Sequence, residues 1–122
     1  MFIDRRSRKP SPLASLGALL AAIAVGLSAY AAHGVVDAGA QSHLYMAALF
    51  AFGHGLALAA LAPQTERLFG KAGLLLLLVG TVLFSGSLAG EVLQHWPTTL
   101  APAGGTLLMI GWVVWALDAL RR

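Results

Sequence analysis

The stretch AALFAFGHGLALAALA, residues 47–62, decides how the rest of the chain is interpreted. It is apolar throughout except for His54, which has a glycine on each side, Gly53 and Gly55. An ionisable side chain inside an apolar run is expensive to bury unless it is neutral or has a partner. His54 is therefore either a structural hydrogen-bonding group or a functional site.

The composition of the whole chain is that of a membrane protein. Of its 122 residues, 58% are hydrophobic and 11% are charged, and the mean hydropathy is +0.79. A soluble domain of this size needs a charged surface, because a small body has much surface relative to its core. The charged residues instead form five short clusters between long uncharged runs, which indicates several membrane spans. The net charge of +3 therefore does not point to nucleic acid.

Four apolar segments are long enough to cross a bilayer. We predict spans at residues 13–32, 44–62, 72–89 and 100–117. About 18–20 helical residues cross the hydrocarbon core, and only a helix satisfies its backbone polar groups within one such segment. Connections of about ten residues or fewer make sequence neighbours antiparallel. The predicted fold class is all-α, an integral membrane bundle of four transmembrane helices in up-down-up-down order.

The basic residues all lie at one end of this predicted bundle. With a cytoplasmic N-terminus, the cytoplasmic segments are residues 1–12, 63–71 and 118–122, and they contain all eight Lys and Arg residues. The two outer loops contain none, so the positive-inside rule places both termini in the cytoplasm. We expect a basic cytoplasmic arm at residues 1–12, a transmembrane domain at 13–118 and a basic tail at 119–122.

The first span has a competing interpretation. Its basic flank, its apolar run and the small residues Ala29 and Ala31 imitate a cleavable signal peptide. The apolar run is longer than the hydrophobic region of an ordinary signal peptide, which favours a retained span.

His54 is the first candidate site residue, and in lipid we expect it to be neutral and hydrogen-bonded. Hydroxyl groups on the other spans are the candidate partners: Ser28, Tyr30, Ser85, Ser87 and Thr106. Three roles compete, namely a polar bridge between helices, a ligand to a metal or haem, and a proton relay. A relay lacks carboxylates, since no Asp or Glu lies inside a predicted span. A bound cofactor, although none is expected, would involve His54, Ser85 and Ser87.

The outer loops contain a second group of candidate ligands. If the two loops meet, imidazole and carboxylate groups could bind Zn²⁺ or Cu²⁺. The group comprises His33, Asp37, His43, Glu91 and His95. Polar residues also occur in loops simply because loops face water, and the spacing matches no zinc motif. His43 and His54 would lie ~16 Å apart on one helix, too far to share an ion. The absence of cysteine excludes thiolate ligands and disulfides.

Small residues predict close helix packing at two further places. Gly86 and Gly90 form a GxxxG pair near the outer end of the third span, a pattern typical of closely packed membrane helices. Pro102, followed by Gly104 and Gly105, indicates a helix start packed closely on a neighbour. Tryptophans are expected in the aromatic belts at the two membrane surfaces: Trp96, Trp112 and Trp115.

Several short motifs resemble a known family. In order along the chain they are AAHG at 31–34, HGLAL at 54–58, FSGS at 84–87 and PAGG at 102–105. Together they resemble the domain-of-unknown-function 423 family, which includes relatives of transmembrane protein 256. The resemblance covers about residues 13–117. It implies a small four-helix membrane protein, in bacteria of the inner membrane, with no established activity.

The chain departs from that family just before His54. Members usually carry a polar and aromatic run of the Tyr-Gln-x-Tyr-His type there, whereas this chain has FAFG at residues 50–53. The histidine is present without its expected polar neighbours, which favours close packing around Gly53.

Two function hypotheses from different classes follow. The favoured one is a non-enzymatic protein of the bacterial inner membrane that assembles with itself or serves as an accessory subunit of a larger membrane complex. The alternative is a binding or transport protein that uses His54 and the outer histidines for a metal, haem or small lipophilic ligand. An enzyme is disfavoured, because no nucleophile, base and orienting group can be combined. The expected partners are the lipid bilayer and other membrane proteins.

Overall fold

The computed structural model describes residues 9–121, and these form helices joined by short connections. The elements are α1 (Pro12–Gly34), α2 (Ala38–Leu61), a 3₁₀ turn (Ala62–Gln64), α3 (Leu68–Gln94) and α4 (Leu100–Leu120). All four α-helices are long and apolar enough to cross a membrane. The predicted all-α fold with four transmembrane helices is confirmed.

The helices extend beyond the predicted spans. α2 begins at Ala38 instead of residue 44, and α3 occupies Leu68–Gln94 instead of 72–89. Asp37 starts α2 by accepting a hydrogen bond from the Ala40 amide at 2.8 Å, which satisfies one of the first free amide groups of the helix. Hydropathy identifies only the apolar part of a helix. The helix itself extends further, as long as its backbone N–H and C=O groups have hydrogen-bond partners. The polar loop expected at 33–43 is therefore only three residues long, 35–37.

The four helices form two antiparallel hairpins, α1 with α2 and α3 with α4, which join where α2 packs on α3. Within residues 9–121, α1 does not pack closely on α3 or α4, so the arrangement is not closed into a ring. Residues 9 and 121, the first and last that the structure describes, lie at the same end of the bundle, which we call the terminal end. The other end, with the connections at 35–37 and 95–99, is the opposite end.

Glycines permit the close approach of α1 and α2. A Cβ atom added to Gly17 would lie 2.6 Å from the carbonyl oxygen of Gly55, and one added to Gly55 would lie 2.5 Å from that of Gly17. Carbon atoms do not approach backbone oxygen so closely, so larger residues would force the two helices apart. Further along, Ala24 of α1 packs with Ala48 and Ala51 of α2.

The second hairpin contains two such glycine contacts. A Cβ on Gly73 would lie 3.0 Å from the Gly111 carbonyl oxygen, and one on Gly104 would lie 2.8 Å from the Gly80 carbonyl oxygen. The predicted close packing at Gly104 is confirmed. A buried leucine cluster fills the space between the hairpins, with members from α2, α3 and α4: Leu58, Leu74, Leu77 and Leu108.

The predicted helix-packing role of the Gly86–Gly90 pair is wrong. A Cβ on Gly86 would meet nothing within 4 Å, and Gly90 lies against the indole ring of Trp96. His95 ends α3 in the left-handed conformation, with φ 58° and ψ 32°, so that the Trp96 amide donates to the Gly90 carbonyl oxygen at 3.2 Å. Gly90 therefore makes room for a tryptophan that folds back on its own helix.

Candidate functional site

His54 lies in α2, seven residues before its end at Leu61, and both of its ring nitrogens are hydrogen-bonded. Nδ1 lies 2.9 Å from the Phe50 carbonyl oxygen, and Nε2 lies 3.0 Å from the indole Nε1 of Trp112. A carbonyl oxygen only accepts and an indole N–H only donates. The geometry therefore requires a neutral imidazole that carries its proton on Nδ1 and accepts the Trp112 proton on Nε2.

Aromatic rings surround this hydrogen-bonded imidazole. The Phe50 ring is stacked with it at a centroid distance of 5.8 Å, and the Trp112 ring lies at 5.8 Å with a 51° tilt. Phe50 in turn contacts Phe84 of α3 at 4.5 Å. The ring contacts thus run from α4 through α2 to α3, and His54 connects the two hairpins.

The hydroxyl groups expected as partners of His54 have other roles, and none is hydrogen-bonded to His54 in the described part of the chain. Ser85 of α3 donates to the Ala47 carbonyl oxygen at 2.8 Å, a bond that ties α3 to α2. Thr106 donates within its own helix to Pro102. The other three lie elsewhere: Ser28 in a groove between α1 and α2, Tyr30 against Gly34 and Ser87 buried in α3.

The partner that sequence reasoning missed is Trp112. Its residue type predicts a place in an aromatic belt, and no local signal relates it to a histidine 58 positions earlier. The pairing depends on the axial alignment of α2 and α4, which tertiary packing sets.

The occupied ring nitrogens limit what His54 can bind. A metal or haem iron binds a histidine through a ring nitrogen lone pair, and the Nε2 lone pair already accepts the Trp112 N–H. A ligand would have to displace Trp112, which would leave an indole N–H without an acceptor in hydrocarbon. The arrangement therefore fits a polar bridge between helices.

The opposite end brings together two of the five candidate metal ligands. His43 Nδ1 lies 3.0 Å from Glu91 Oε2, and this contact links the start of α2 to the last turn of α3. The side chains are 44% and 36% exposed. The other three candidates lie apart: His33 in the last turn of α1, Asp37 at the cap of α2 and His95 at the end of α3. Within residues 9–121 no three His, Asp or Glu side chains form a group able to hold a metal ion.

A buried carboxyl group at the terminal end was also missed by sequence reasoning. Asp118 is 1% exposed and lies against Gly70 in the first turn of α3. Beside it, Thr65 donates to the Leu61 carbonyl oxygen at 2.7 Å and accepts from the Trp115 indole at 3.2 Å. Negative charge near a helix N-terminus is stabilised by the helix dipole. This polar group holds the end of α4 against the start of α3.

A periodic signal for Asp118 is present in the sequence. Residues of α4 at alternating spacings of four and three face α3: Gly104, Leu108, Gly111, Trp115 and Asp118. Asp118 continues this series, but as a charge near the chain end it resembles an ordinary topology signal.

Comparison with known proteins identifies the family. The model of a family described as protein of unknown function (DUF423) matches residues 27–105. The chain belongs to the DUF423 family. The DUF423 match contains His54 and Ser85 and ends before Trp112. No solved structure matches the chain significantly.

Relatives of this DUF423 chain are named UPF0382 membrane proteins. One from Staphylococcus aureus is 36% identical over 107 residues, which cover 81% of this chain and 87% of the relative. One from Haemophilus influenzae is 32% identical over 114 residues, with 88% and 92% covered. YwdK from Bacillus subtilis is 31% identical over 125 residues, with 87% and 94% covered. The predicted family is confirmed, and the chain is a membrane protein of a family without an assigned function.

Proposed function

We propose that this DUF423 protein is a non-enzymatic protein of the bacterial inner membrane that acts by assembly, primarily with a second copy, through the outward face of α1. The observation that carries the proposal is the position of small residues on α1. Its buried face, which packs on α2, includes Gly17, Ala24 and Ala31. On the other side, at spacings of three and four, lie exposed small residues: Ser15, Ala18, Ala22, Gly26 and Ala29.

This outward stripe, defined by those five residues, lies opposite the buried face. At 100° per residue, positions 15, 18, 22, 26 and 29 point roughly 180° away from positions 17, 24 and 31. A Cβ on Gly26 would meet nothing within 4 Å. In an apolar 18-residue window of α1, 11% of the residues are buried inside the protein, compared with 44% in the corresponding window of α3. Within residues 9–121, no other helix covers this outward face of α1.

The chemistry of the outward stripe favours another helix as its neighbour. Helices in lipid associate by close backbone packing, which small residues permit. The chain itself uses such contacts at Gly17 and Gly55. A second α1, or a helix of a larger membrane complex, would pack on the stripe by the same means.

The predicted orientation belongs to this proposal. Every Lys and Arg of the chain falls in the arm, the connection at 63–71 or the tail, so the positive-inside rule supports a cytoplasmic terminal end. The relatives are named membrane proteins and come from bacteria, which supports a location in a bacterial membrane. A C-terminal reporter that is active only in the cytoplasm tests the orientation, and activity of a periplasm-specific reporter at that position would contradict it.

The alternative function, ligand binding or transport through His54, has less support. Both His54 nitrogens are hydrogen-bonded within the chain. A groove of about 700 Å³ does run between α1 and α2, but His54 is not among the residues that line it. A lipophilic ligand in this groove would be held by apolar side chains such as Leu49 and Phe52, without the histidine.

The proposed function is tested by purification in a mild detergent after expression at native level, with native mass spectrometry of the intact complexes. We expect a homo-oligomer, and Gly26→Leu should weaken self-association at least tenfold. Gly86→Leu is the matched control, because Gly86 is likewise a helical glycine with open space around it. A protein that stays monomeric and without partners at all concentrations contradicts the proposal, as does an equal effect of both substitutions.

A further inference from the structure

A second pocket, of about 990 Å³, lies at the terminal end. It is bounded by the residues that lead into α1, by the connection between α2 and α3, and by the first two turns of α3. The transmembrane helices α1 and α3 begin beside it, so we expect the pocket to lie where the headgroup region of a bilayer meets the hydrocarbon. The pocket shares no residue with the outward stripe of α1.

Two lysines at the rim of this terminal-end pocket supply positive charge. Lys9 and Lys71 both line it and are exposed. In the described part of the chain neither takes part in an ion pair. Thr65 donates its hydroxyl proton to the Leu61 carbonyl oxygen, whereas Ser11 accepts from the Ala14 amide and keeps its own O–H to donate. The lysine ammonium groups are the cationic groups available to a ligand.

The deeper wall of the terminal-end pocket is apolar. Leu13 of α1 and Leu74 and Leu75 of α3 line it. The two α3 leucines follow the helix start at Leu68 by six and seven residues, about 10 Å along the axis. Leu75 is 52% exposed. The pocket is thus charged at its rim and apolar below. A phospholipid in a membrane leaflet has the same arrangement, with a charged headgroup at the surface and hydrocarbon chains beneath it.

We propose that the terminal-end pocket binds an anionic phospholipid, with the phosphate between Lys9 and Lys71 and an acyl chain along Leu13 and Leu75. The two lysine ammonium groups attract a negatively charged phosphodiester. Each Lys near the membrane surface adds to the attraction for anionic lipid. Glu66 also lines the pocket and reduces the local charge to about one positive unit. That balance fits a singly charged phosphodiester headgroup better than a free, more highly charged phosphate.

Native mass spectrometry with added lipid tests this proposal. The full-length protein is titrated with phosphatidylglycerol or phosphatidylcholine in a mild detergent, and the retained lipid is counted. We expect one phosphatidylglycerol per chain, held at least tenfold more tightly than phosphatidylcholine. Lys9→Gln combined with Lys71→Gln should weaken retention about tenfold or more. Glu66→Gln should strengthen it a few-fold by removing the negative charge.

The matched control removes the same charge outside the pocket. Arg67→Gln combined with Arg121→Gln deletes two exposed cations that do not line the pocket, and it should change retention less than twofold. An equal loss in control and pocket variants would mean general electrostatic attraction and would overturn the proposal. Lack of selectivity for phosphatidylglycerol, or its displacement by an equal concentration of inorganic phosphate, would overturn it as well. Circular dichroism of each variant verifies that the helices are intact.

Discussion

The two hairpins use the same packing device to different extents. α3 and α4 meet at two glycine contacts, Gly73 with Gly111 and Gly80 with Gly104, which are seven residues apart on each helix. α1 and α2 meet at a single such contact, between Gly17 and Gly55. Seven residues are close to two helical turns, so repeated contacts keep two helices together along their length.

The difference separates a scaffold from an outer helix. α3 packs on α2 and on α4, and the carboxyl group of Asp118 is buried beside its first turn. α1 packs closely only on α2 and its adjoining turn within residues 9–121. α3 should therefore contribute most to the stability of the bundle, because 44% of its apolar window is buried compared with 11% for α1, and α1 has a free face for assembly.

Gly104→Ala should produce the largest loss of stability. The new Cβ would lie 2.5 Å from the Phe84 backbone nitrogen and 2.8 Å from the Gly80 carbonyl oxygen, and overpacking of this kind typically costs about 1–3 kcal/mol. Unfolding in mixed micelles measures the change in free energy. Gly86→Ala is the control and should be neutral or slightly stabilising, because it meets nothing within 4 Å and alanine favours a helix. Equal effects of the two substitutions would contradict the glycine contact.

Gly17→Ala should have a more local effect. Its Cβ would lie 2.6 Å from both the Gly55 carbonyl oxygen and Leu58 Cβ, so α1 should separate from α2 at a cost of about 1–2 kcal/mol. Because α1 packs on little else, hydrogen exchange should rise in α1 and stay unchanged in α3 and α4. Faster exchange throughout all four helices would show that α1 is part of the scaffold, and the contrast would fail.

The His54–Trp112 hydrogen bond should contribute a modest coupling between the hairpins. A double-mutant cycle with His54→Phe and Trp112→Phe should give about 0.5–1.5 kcal/mol, the usual range for side-chain hydrogen bonds between membrane helices. Neither variant should change a visible absorption spectrum or the metal content of the purified protein. A bound chromophore or metal that disappears with His54→Phe would instead make His54 a ligand site.

The His43–Glu91 pair should contribute least. Both side chains are more than one-third exposed, and even with His43 protonated an exposed ion pair is typically worth about 0.2–1 kcal/mol. Glu91→Gln should therefore leave the unfolding free energy nearly unchanged, and any effect should decrease as salt is added. A loss above about 2 kcal/mol would show that the pair anchors α2 to α3.

The spans could be predicted from the sequence, but the helix ends could not. Long uncharged runs identify what crosses hydrocarbon, and this signal needs no tertiary information. The ends depend on individual contacts, such as the Asp37 cap and the Gln41 side chain, which donates to the Ala31 carbonyl oxygen at 2.8 Å. His43 consequently lies within α2, although its polarity predicts a loop.

His54 could be predicted from the sequence as the candidate site residue, but the residues that it contacts could not. His54 is conspicuous because it interrupts an apolar run. Its bond to Trp112 depends on how α2 and α4 align, which neither segment encodes alone. The glycines show the same limit, since Gly86 and Gly104 look alike in sequence and only one faces a neighbouring helix.

Single-cysteine cross-linking along α1 in native membranes measures whether two copies of the protein meet through the outward stripe of this helix. The chain contains no cysteine, so each introduced thiol reports alone. Disulfide dimers should form at Ala18→Cys, Ala22→Cys and Gly26→Cys, decrease at Leu19→Cys and Ile23→Cys, and be absent at Ile110→Cys, an exposed position of α4 at a similar depth. Cross-linking without helical periodicity, or strongest at Ile110→Cys, would contradict assembly through the outward stripe of α1.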